Sequence, residues 1–571
     1  MKWKILKKIE NKVITELKNY PDIVKQLLFN RGIKTSADAK KYLDPQITDI
    51  HDPFLLSDIE KAIEVILYAK AKKKRIFIYG DYDVDGVVAT SILWDFLYRK
   101  LNINVLPYIP SRFEEGYGMS KTGLDHIVKN GGNLVITVDC GIKDNKLIDE
   151  YSKQKKLKFI ITDHHTIPEE KNGRQIINRN ALAIIHPKHP KSKYPFKEIS
   201  GATVAWKLIC ALSKELKNKL TFDPMNYLDL VSLTVVTDIM PLIDENRVIV
   251  HYGLKHMKKT DNIGLRALIL NSKIDFNNID TYHYGFVIGP RLNAAGRIEH
   301  AIHGVRLLST GSHAKAIEYA EKISALNYER QKLTKEILNS ARERVMKEMK
   351  NEKLLFLWGE NWPEGIVGLV AGKLQEEFSR PVFVASVKNG IAVGSARSIT
   401  SFNVTEAISI SSDILIKYGG HSQAAGFSLD AMNLFEFKER LLEFANEKLT
   451  DDDFIKTLVI DVEIDIKDID HVLINWLEKF KPFGLANSTP TFLIKKCVVL
   501  SKKNIGKEGN HTKIILGQGN HTLEMLAFYQ AHKFQNVKIN DKIDVVGNIE
   551  LNSWNGYKTV QLKLIDFTNS F

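Results

Sequence analysis

Lys158-Phe159-Ile160-Ile161-Thr162-Asp163-His164-His165 is the stretch whose reading decides the fold: an apolar run ends on a carboxylate and two imidazoles. Three such groups on consecutive residues at a strand end are costly unless a cation sits among them. Upstream, Gly80-Asp81-Tyr82-Asp83-Val84-Asp85-Gly86 follows the strand-like Arg75-Ile76-Phe77-Ile78-Tyr79 and precedes the helix-like Val87-Val88-Ala89-Thr90-Ser91-Ile92-Leu93-Trp94. Between the two, Val135-Ile136-Thr137-Val138 runs into Asp139-Cys140-Gly141. Three strands therefore end in acids, as expected of a metal-dependent hydrolase.

Outward from these motifs, strand-like runs at 75–79, 103–108, 134–138, 158–162 and 181–185 alternate with amphipathic helices over about 70–240. The pattern predicts an α/β domain, a parallel sheet with helices on both faces. Ligands of such sheets bind beyond the carboxyl ends of the strands, where the acids stand. Residues 1–55 read as a Lys-rich helical lead, with turn signals at Asp44-Pro45 and Asp52-Pro53. Residues 313–351 carry Ile317, Ala320, Ile323, Leu326, Leu333, Ile337, Ala341 and Val345 at mostly three- and four-residue spacings, without Pro or Gly, which predicts one long connecting helix. A second αβ unit follows, with strands at 354–358 and 381–385 around a Gly-rich helix start at 365–374. Beyond 455, alternating runs at 458–464, 491–500, 513–516, 523–528 and 543–551 predict a small antiparallel barrel.

Length and composition agree with several domains rather than one core. Lys+Arg 81 against Asp+Glu 68 gives a net charge of +13, which favours a polyanionic partner. Lys is used heavily along the whole chain, so the same excess also reads as general surface charge. The three cysteines, Cys140, Cys210 and Cys497, are far apart and make neither a disulfide framework nor a zinc knuckle, which suits a reducing cytoplasm. No signal-like start and no run approaching 18 apolar residues is found, so neither secretion nor a membrane span is expected.

The D-x-D-x-D-G pattern opens like an EF-hand, but the twelfth position is Ile92 and the flanks are strand and helix, so a calcium loop is excluded. Like charges about 4 Å apart repel by roughly 4 kcal/mol per pair at an effective dielectric near 20. Gathering Asp81, Asp83, Asp85, Asp139 and Asp163 therefore requires protonation, separation or bound cations. Mixed carboxylate and imidazole ligands suit Mn2+ or Mg2+ better than zinc, and enough are present for two ions. Asp238, at the end of the apolar helix 228–237, is a further ligand candidate or a solvated helix-terminal acid.

Phosphate needs donors, and arginine forks suit it. Arg291 and Arg297 flank small residues in what reads as a Gly/Pro-rich loop, and Gly394-Ser395-Ala396-Arg397-Ser398 offers a hydroxyl, amides and a guanidinium at a strand exit. Each has an alternative reading as a surface ion pair. Gly365-Ile366-Val367-Gly368-Leu369-Val370-Ala371-Gly372-Lys373-Leu374 resembles a Walker A loop, but Leu374 stands where that loop needs Ser or Thr, so close helix packing is expected instead. Lys502, Lys503, Lys507, His511, Lys513, Phe528, Tyr529 and Trp554 match a single-strand-binding face or a charged barrel rim with core aromatics.

The segments 80–86, 138–141, 162–165 and the helix ending Thr237-Asp238 resemble the four motifs of the DHH phosphoesterase superfamily, and within it the chain is similar to the RecJ family of single-strand-specific DNA exonucleases. Gly289-Pro290-Arg291-Leu292-Asn293-Ala294-Ala295-Gly296-Arg297 is similar to the sequence closing that family's first domain. Gly419-Gly420-His421-Ser422-Gln423-Ala424-Ala425-Gly426 resembles the glycine-rich segment of the DHH-associated domain, and Pro482-Phe483-Gly484 with Pro490 the start of an OB fold. His186-Pro187 stands where relatives carry Asn-Pro, and Ser488-Thr489 replaces Pro-Glu. The resemblance implies a division into a lead (1–55), a DHH catalytic domain (56–312), a connecting helix (313–351), a DHH-associated α/β domain (352–452) and an OB-fold barrel (453–571).

It further implies that Asp81, Asp83, Asp85, Asp139, His164, His165 and Asp238 include the ligands of two ions, Mn2+ or Mg2+, with Asp163 as ligand or orienter. Asp83, His165, Arg112 and Arg291 would serve catalysis, Arg112 at the scissile phosphate. Tyr117 would stack on the substrate, Arg297 would bind it, and Ser395, Arg397, Gly420 and His421 would hold its terminal phosphate. The implied activity is 5′-to-3′ hydrolysis of single-stranded DNA in repair and recombination, by a cytoplasmic monomer with a single-strand-binding protein and a helicase as partners. Two alternatives belong to other classes: a phosphodiesterase for oligoribonucleotides or cyclic dinucleotides, and a non-catalytic replication scaffold.

Overall fold

Strands whose apolar residues fall on both faces must be covered on both faces. Ile76–Gly80 and Leu134–Val138 are buried throughout, and they lie centrally in a five-stranded parallel sheet. Its order is Val105–Tyr108, Ile76–Gly80, Leu134–Val138, Lys158–Thr162, Ala183–Ile185. Phe77, Tyr79, Val135, Phe159 and Ile161 point to one face, where Leu124, Ile127, Ile148 and Tyr151 of helices Lys121–Lys129 and Asn145–Gln154 cover them. Helices Ile59–Ala71, Val84–Trp94 and Gly201–Glu215 cover the other face. The expected runs thus became strands, within two residues at each end.

The computed structural model describes residues 1–170, 172–217, 220–554 and 557–570, excepting the side chains of residues 553, 554, 557 and 558. The chain divides into two units, residues 50–240 with 244–454, and residues 1–49 with 241–243 and 455–571. Among the described residues no helix is long and apolar enough to cross a membrane.

Within the first unit, the connecting helix runs from His313 to Glu348, capped by Ser312, whose hydroxyl accepts from the Lys315 amide at 3.4 Å. Its first half packs on helices Ile263–Asn271, Gly289–Ile298 and Ile302–Ser309. Its second half buries Ile337, Ala341 and Val345 in a core shared with Leu355, Leu357, Ile366 and Val370. The helix is therefore a common wall of two layers rather than a bare strut. The second sheet has the order Leu415–His421, Ala424–Asp430, Ile391–Arg397, Val382–Lys388, Leu355–Glu360, with only the last pair parallel.

Residues 289–298 correct the expected Gly/Pro-rich loop: they form a helix, Gly289–Ile298. Pro290 falls in its first turn, where a missing N–H costs nothing, and Leu292, Ala294 and Ala295 are buried. Gly296 is required for contact, since a Cβ there would meet the Tyr82 carbonyl at 2.6 Å.

In the second unit, Phe492–Ile505, His511–Gln518, His521–Ala527, Tyr557–Asn569 and Lys542–Trp554 close a barrel by pairing of the last with the first. One seam departs from the expected antiparallel pattern: His521–Ala527 and Tyr557–Asn569 run parallel, because the chain crosses over through 528–541 to Lys542–Trp554 before Tyr557–Asn569 pairs back against it. The final strand also lies beyond the runs read from the sequence. The lead is not wholly helical. Lys2–Ile5 is a strand paired in parallel with Thr457–Ile460, and Trp3 Nε1 donates to Asp566 at 3.0 Å. On the barrel, Lys502 is turned inward to the Phe534 and Val537 carbonyls (2.8 and 2.6 Å), so its role is structural. His511, Phe528 and Tyr529 cluster at the surface with Lys563, and the Trp554 side chain lies outside the described residues.

Candidate metal centre and phosphate cleft

The strand ends deliver their acids to one point. Asp81, Asp139 and Asp163 directly follow three neighbouring strands. Asp83 caps helix Val84–Trp94, its carboxylate accepting from the Gly86 amide at 3.1 Å, while Asn293 Oδ1 accepts from the Val84 amide at 3.1 Å. Asp85 lies in the first turn of the same helix and accepts from the Gly201 and Ala202 amides (2.5 and 2.9 Å) at the start of helix Gly201–Glu215. Helix N-termini favour such negative charge. Gly201 is obligatory, since its Cβ would stand 2.6 Å from the Asp139 Cβ. Asp238 caps the other end of helix Leu228–Thr237.

Three triads of ligand atoms lie within 4.8 Å of one another: Asp81, Asp83 and Asp139; Asp139, His164 and His165; Asp85, His164 and Asp238. His164 Nε2 stands 3.1 Å from Asp139, 3.6 Å from Asp238 and 3.8 Å from Asp85. Asp81 Oδ1, Asp139 Oδ1 and Asp238 Oδ2 are buried and accept no hydrogen bond. Burial first, and then the neighbouring acids, push the carboxyls of Asp81, Asp139 and Asp238 well above the usual range. Burial and the charge of Asp83 raise Asp85 to about 6. Burial lowers His164 to about 3, so this imidazole stays neutral and keeps a lone pair. Buried carboxylate oxygens without donors and a neutral imidazole, with no thiol among the triads, fit hard divalent cations.

Asp163 is different. Its carboxylate accepts from the amides of His164 (2.7 Å), His165 (3.1 Å) and Ile142 (3.0 Å), and from His165 Nδ1 (2.8 Å). Burial alone would raise it, but the hydrogen bond and charge of His165 hold it well below the usual carboxylate range. Three of these four bonds fall on Oδ1 and one on Oδ2, an arrangement suited to orienting His165. Nδ1–H of His165 points at Asp163, leaving Nε2 available. The Tyr117 hydroxyl stands 3.1 Å from both ring nitrogens. Its loop is tied down by Glu115, which accepts from the Ser111 amide at 2.7 Å and from Tyr108 and Ser120. His186, from the end of the fifth strand, accepts from the Lys188 amide at Nδ1 (3.0 Å) and so donates from Nε2 to the His165 carbonyl (2.8 Å).

Beside the acids lies a cleft of about 390 Å³ lined by Tyr82, Arg112, Arg297, Ser395, Arg397 and Gly420, among others. Arg112 lies over the Tyr82 ring at 5.0 Å. Arg397 donates to Ser395 Oγ at 2.9 Å, and Arg297 to the Gly365 carbonyl at 3.0 Å. Burial, then Arg112, Arg330 and Arg397, lower Arg297 to about 9. Small residues bring the walls together: a Cβ on Gly365 would meet the Arg297 carbonyl at 2.4 Å, and one on Gly368 the Ser395 hydroxyl at 3.0 Å. This accounts for the Walker-like spacing as packing. His421 is exposed on the same hairpin, directly after Gly419 and Gly420 of the lining.

Arg330, on the connecting helix, escaped the sequence reading. Its Nε and that of Arg291 are buried without partners, and burial followed by the charge of Arg291 lowers its guanidinium. Among the described residues Arg112, Arg291, Arg297, Arg330 and Arg397 form no ion pair. Glu364 also lines the cleft but pairs with none of them, and guanidiniums without an ion-paired carboxylate suit an anion. A signal was present: Asn327 and Arg330 interrupt the apolar face marked by Ile323, Leu326 and Ile337.

Comparison with known proteins agrees with this geometry. Family models match residues 75–235 (DHH family, N-terminal domain), 351–451 (DHHA1 domain) and 460–566 (RecJ OB domain). The single-stranded-DNA-specific exonuclease RecJ of Bacillus subtilis (strain 168) is 36% identical over 573 residues, spanning 99% of this chain and 70% of the relative. The RecJ of Salmonella typhimurium is 32% identical, spanning 75% of each chain. The crystal structure of RecJ in complex with Mn2+ from Thermus thermophilus matches with a TM-score of 0.84 at 26% identity, over 100% of this chain and 80% of that one.

Proposed function

This chain belongs to the RecJ family, and from that premise we propose that it removes nucleotides from the 5′ end of single-stranded DNA at the metal centre and cleft described above. It is a metal-dependent single-stranded-DNA exonuclease, and its cofactor is Mn2+ or Mg2+. The observation that carries the reading is the juxtaposition of donorless buried carboxylates with unpaired guanidiniums. Acids alone would suit a cation store and arginines alone an anion store; together they suit a phosphodiester held against cations.

In this reading Asp81, Asp83 and Asp139 would hold one ion, and Asp85, Asp139, His164 and Asp238 a second, with His165 at the shared edge. When bound, two such ions activate the attacking water and compensate charge on the leaving oxygen. The protein's own groups do the rest. Asp163 and His186 fix the His165 ring and backbone. Arg112 and Arg291 offset charge developing on the phosphorus, and Arg297, Ser395 and Arg397 with the Gly420 backbone anchor the terminal phosphate. Tyr117, held at His165, supports the first sugar or base. An unpaired substrate implies a helicase that opens duplexes and a single-strand-binding protein that shares the strand, and both are proposed partners.

The test is digestion of DNA labelled separately at each end. Mononucleotides are expected from the 5′ label at once, only with manganese or magnesium, and not from blunt duplex. Early release from the 3′ label would refute the polarity, and equal cleavage of dinucleotides would favour the small-substrate reading. Arg330→Gln is expected to raise KM about tenfold with a smaller change in kcat, as when a ground-state phosphate contact is lost. An unchanged KM on a strand of 20 nucleotides or so would remove Arg330 from the site.

A further inference from the structure

The opposite edge of the first sheet carries its own surface. Helices Ile59–Ala71 and Asn145–Gln154 end alike: a lysine C-cap (Lys72, Lys155), then a lysine in the left-handed region (Lys73, φ 50°; Lys156, φ 55°), then the next strand. Left-handed backbone costs a non-glycine residue about 1 kcal/mol or more, so glycine is the relaxed choice at both turns, yet both carry lysine. The runs Lys70-Ala71-Lys72-Lys73-Lys74-Arg75 and Lys153-Gln154-Lys155-Lys156-Leu157-Lys158 bring nine cations to these two turns. None of Lys74, Lys156 and Lys158 forms an ion pair among the described residues. Between them lies a groove of about 520 Å³, with Val65, Ala69, Leu134 and Leu182 on its walls and Tyr68, 62% exposed, at its rim. Among the described residues Glu64 is the single acid that lines it.

We propose that this groove docks an acidic peptide segment of a partner protein, anchored by one aromatic or branched apolar side chain. Charge complementarity selects the acidic partner, and the concave aliphatic wall selects a side chain as the anchor. Nucleic acid fits less well, since strand-binding faces use aromatic platforms and this wall offers only Tyr68. The groove lies at the amino ends of the strands and the metal centre at their carboxyl ends, so a docked partner leaves the cleft free.

The test uses the full-length protein in metal-free buffer and a fluorescein-labelled peptide, Asp-Glu-Asp-Asp-Glu-Trp-Leu-Asp, read by anisotropy. Saturable binding is expected, weakened about tenfold or more by Trp-Leu→Ser-Ser in the peptide and by Lys156→Glu with Lys158→Glu in the protein. Leu182→Asp should act likewise, and both protein variants should digest single-stranded DNA with manganese at the wild-type rate. Absence of saturable binding overturns the proposal. So does binding that tolerates Ser-Ser yet is displaced by a blunt 12-base-pair duplex or so, which would mark a general polyanion surface.

Discussion

Asp139→Asn is expected to lower kcat by about a thousandfold or more while stabilising the metal-free protein. Asp139 belongs to two of the three ligand triads, so its loss injures both proposed ion sites at once. Asn keeps the shape and tolerates the left-handed backbone at this position, φ 60°, where most residues are strained. It removes one of several buried like charges, so the metal-free melting temperature should rise, by about 1 °C per kcal/mol relieved in a unit of this size. Manganese should stabilise the wild type far more than the variant. A variant with normal turnover would dissolve the proposed ligation, and a lower metal-free Tm would deny the repulsion.

The same electrostatics sets a pH dependence. In the metal-free fold Asp85 titrates near 6, above its unfolded value of 3.8, because burial and then Asp83 disfavour its charge. The folded state therefore binds more protons across that interval, and stability falls as pH rises through it. Asp163 runs the other way: despite its burial, His165 holds it ionised, so its contribution is present above the unfolded carboxylate range and lost on acidification. Saturating manganese is expected to flatten the first effect and leave the second.

Arg397→Ala is expected to lower kcat/KM about a hundredfold on 5′-phosphorylated single strands and about tenfold or less on 5′-hydroxyl strands. Arg397 is mostly buried, donates to Ser395 Oγ and lies near Arg112 without a carboxylate in reach. Removing it takes away a fork for the terminal phosphate and relieves Arg112 at the same time. The discrimination between the two 5′ ends is the decisive readout, because general loss of fold would depress both substrates equally. An equal effect on both would place the terminal phosphate elsewhere.

Much of this was legible in the residues. Runs such as 134–138 are apolar on both faces apart from Thr137, which a doubly covered strand explains, and Asp139, Asp163 and Asp81 follow such runs directly. Parallel pairing then forces them together. The helix Gly289–Ile298 was not legible as a helix, because Gly and Pro mark loops locally and only burial of Leu292, Ala294 and Ala295 against the rest of the unit offsets that preference. Arg330 escaped because an arginine on a long polar helix looks solvated until Arg291 and Arg297 are brought beside it from elsewhere in the chain. The parallel seam of the barrel is likewise a property of the crossover, not of the strand it joins.

Manganese titration of the full-length protein at neutral pH, followed by calorimetry and by electron paramagnetic resonance, measures the number and proximity of bound ions. Two ions per chain are expected, with spin coupling between them, falling to one or none in Asp139→Asn. Two uncoupled ions, or full occupancy in the variant, would mean that the clustered carboxylates and imidazoles do not form one shared cation site.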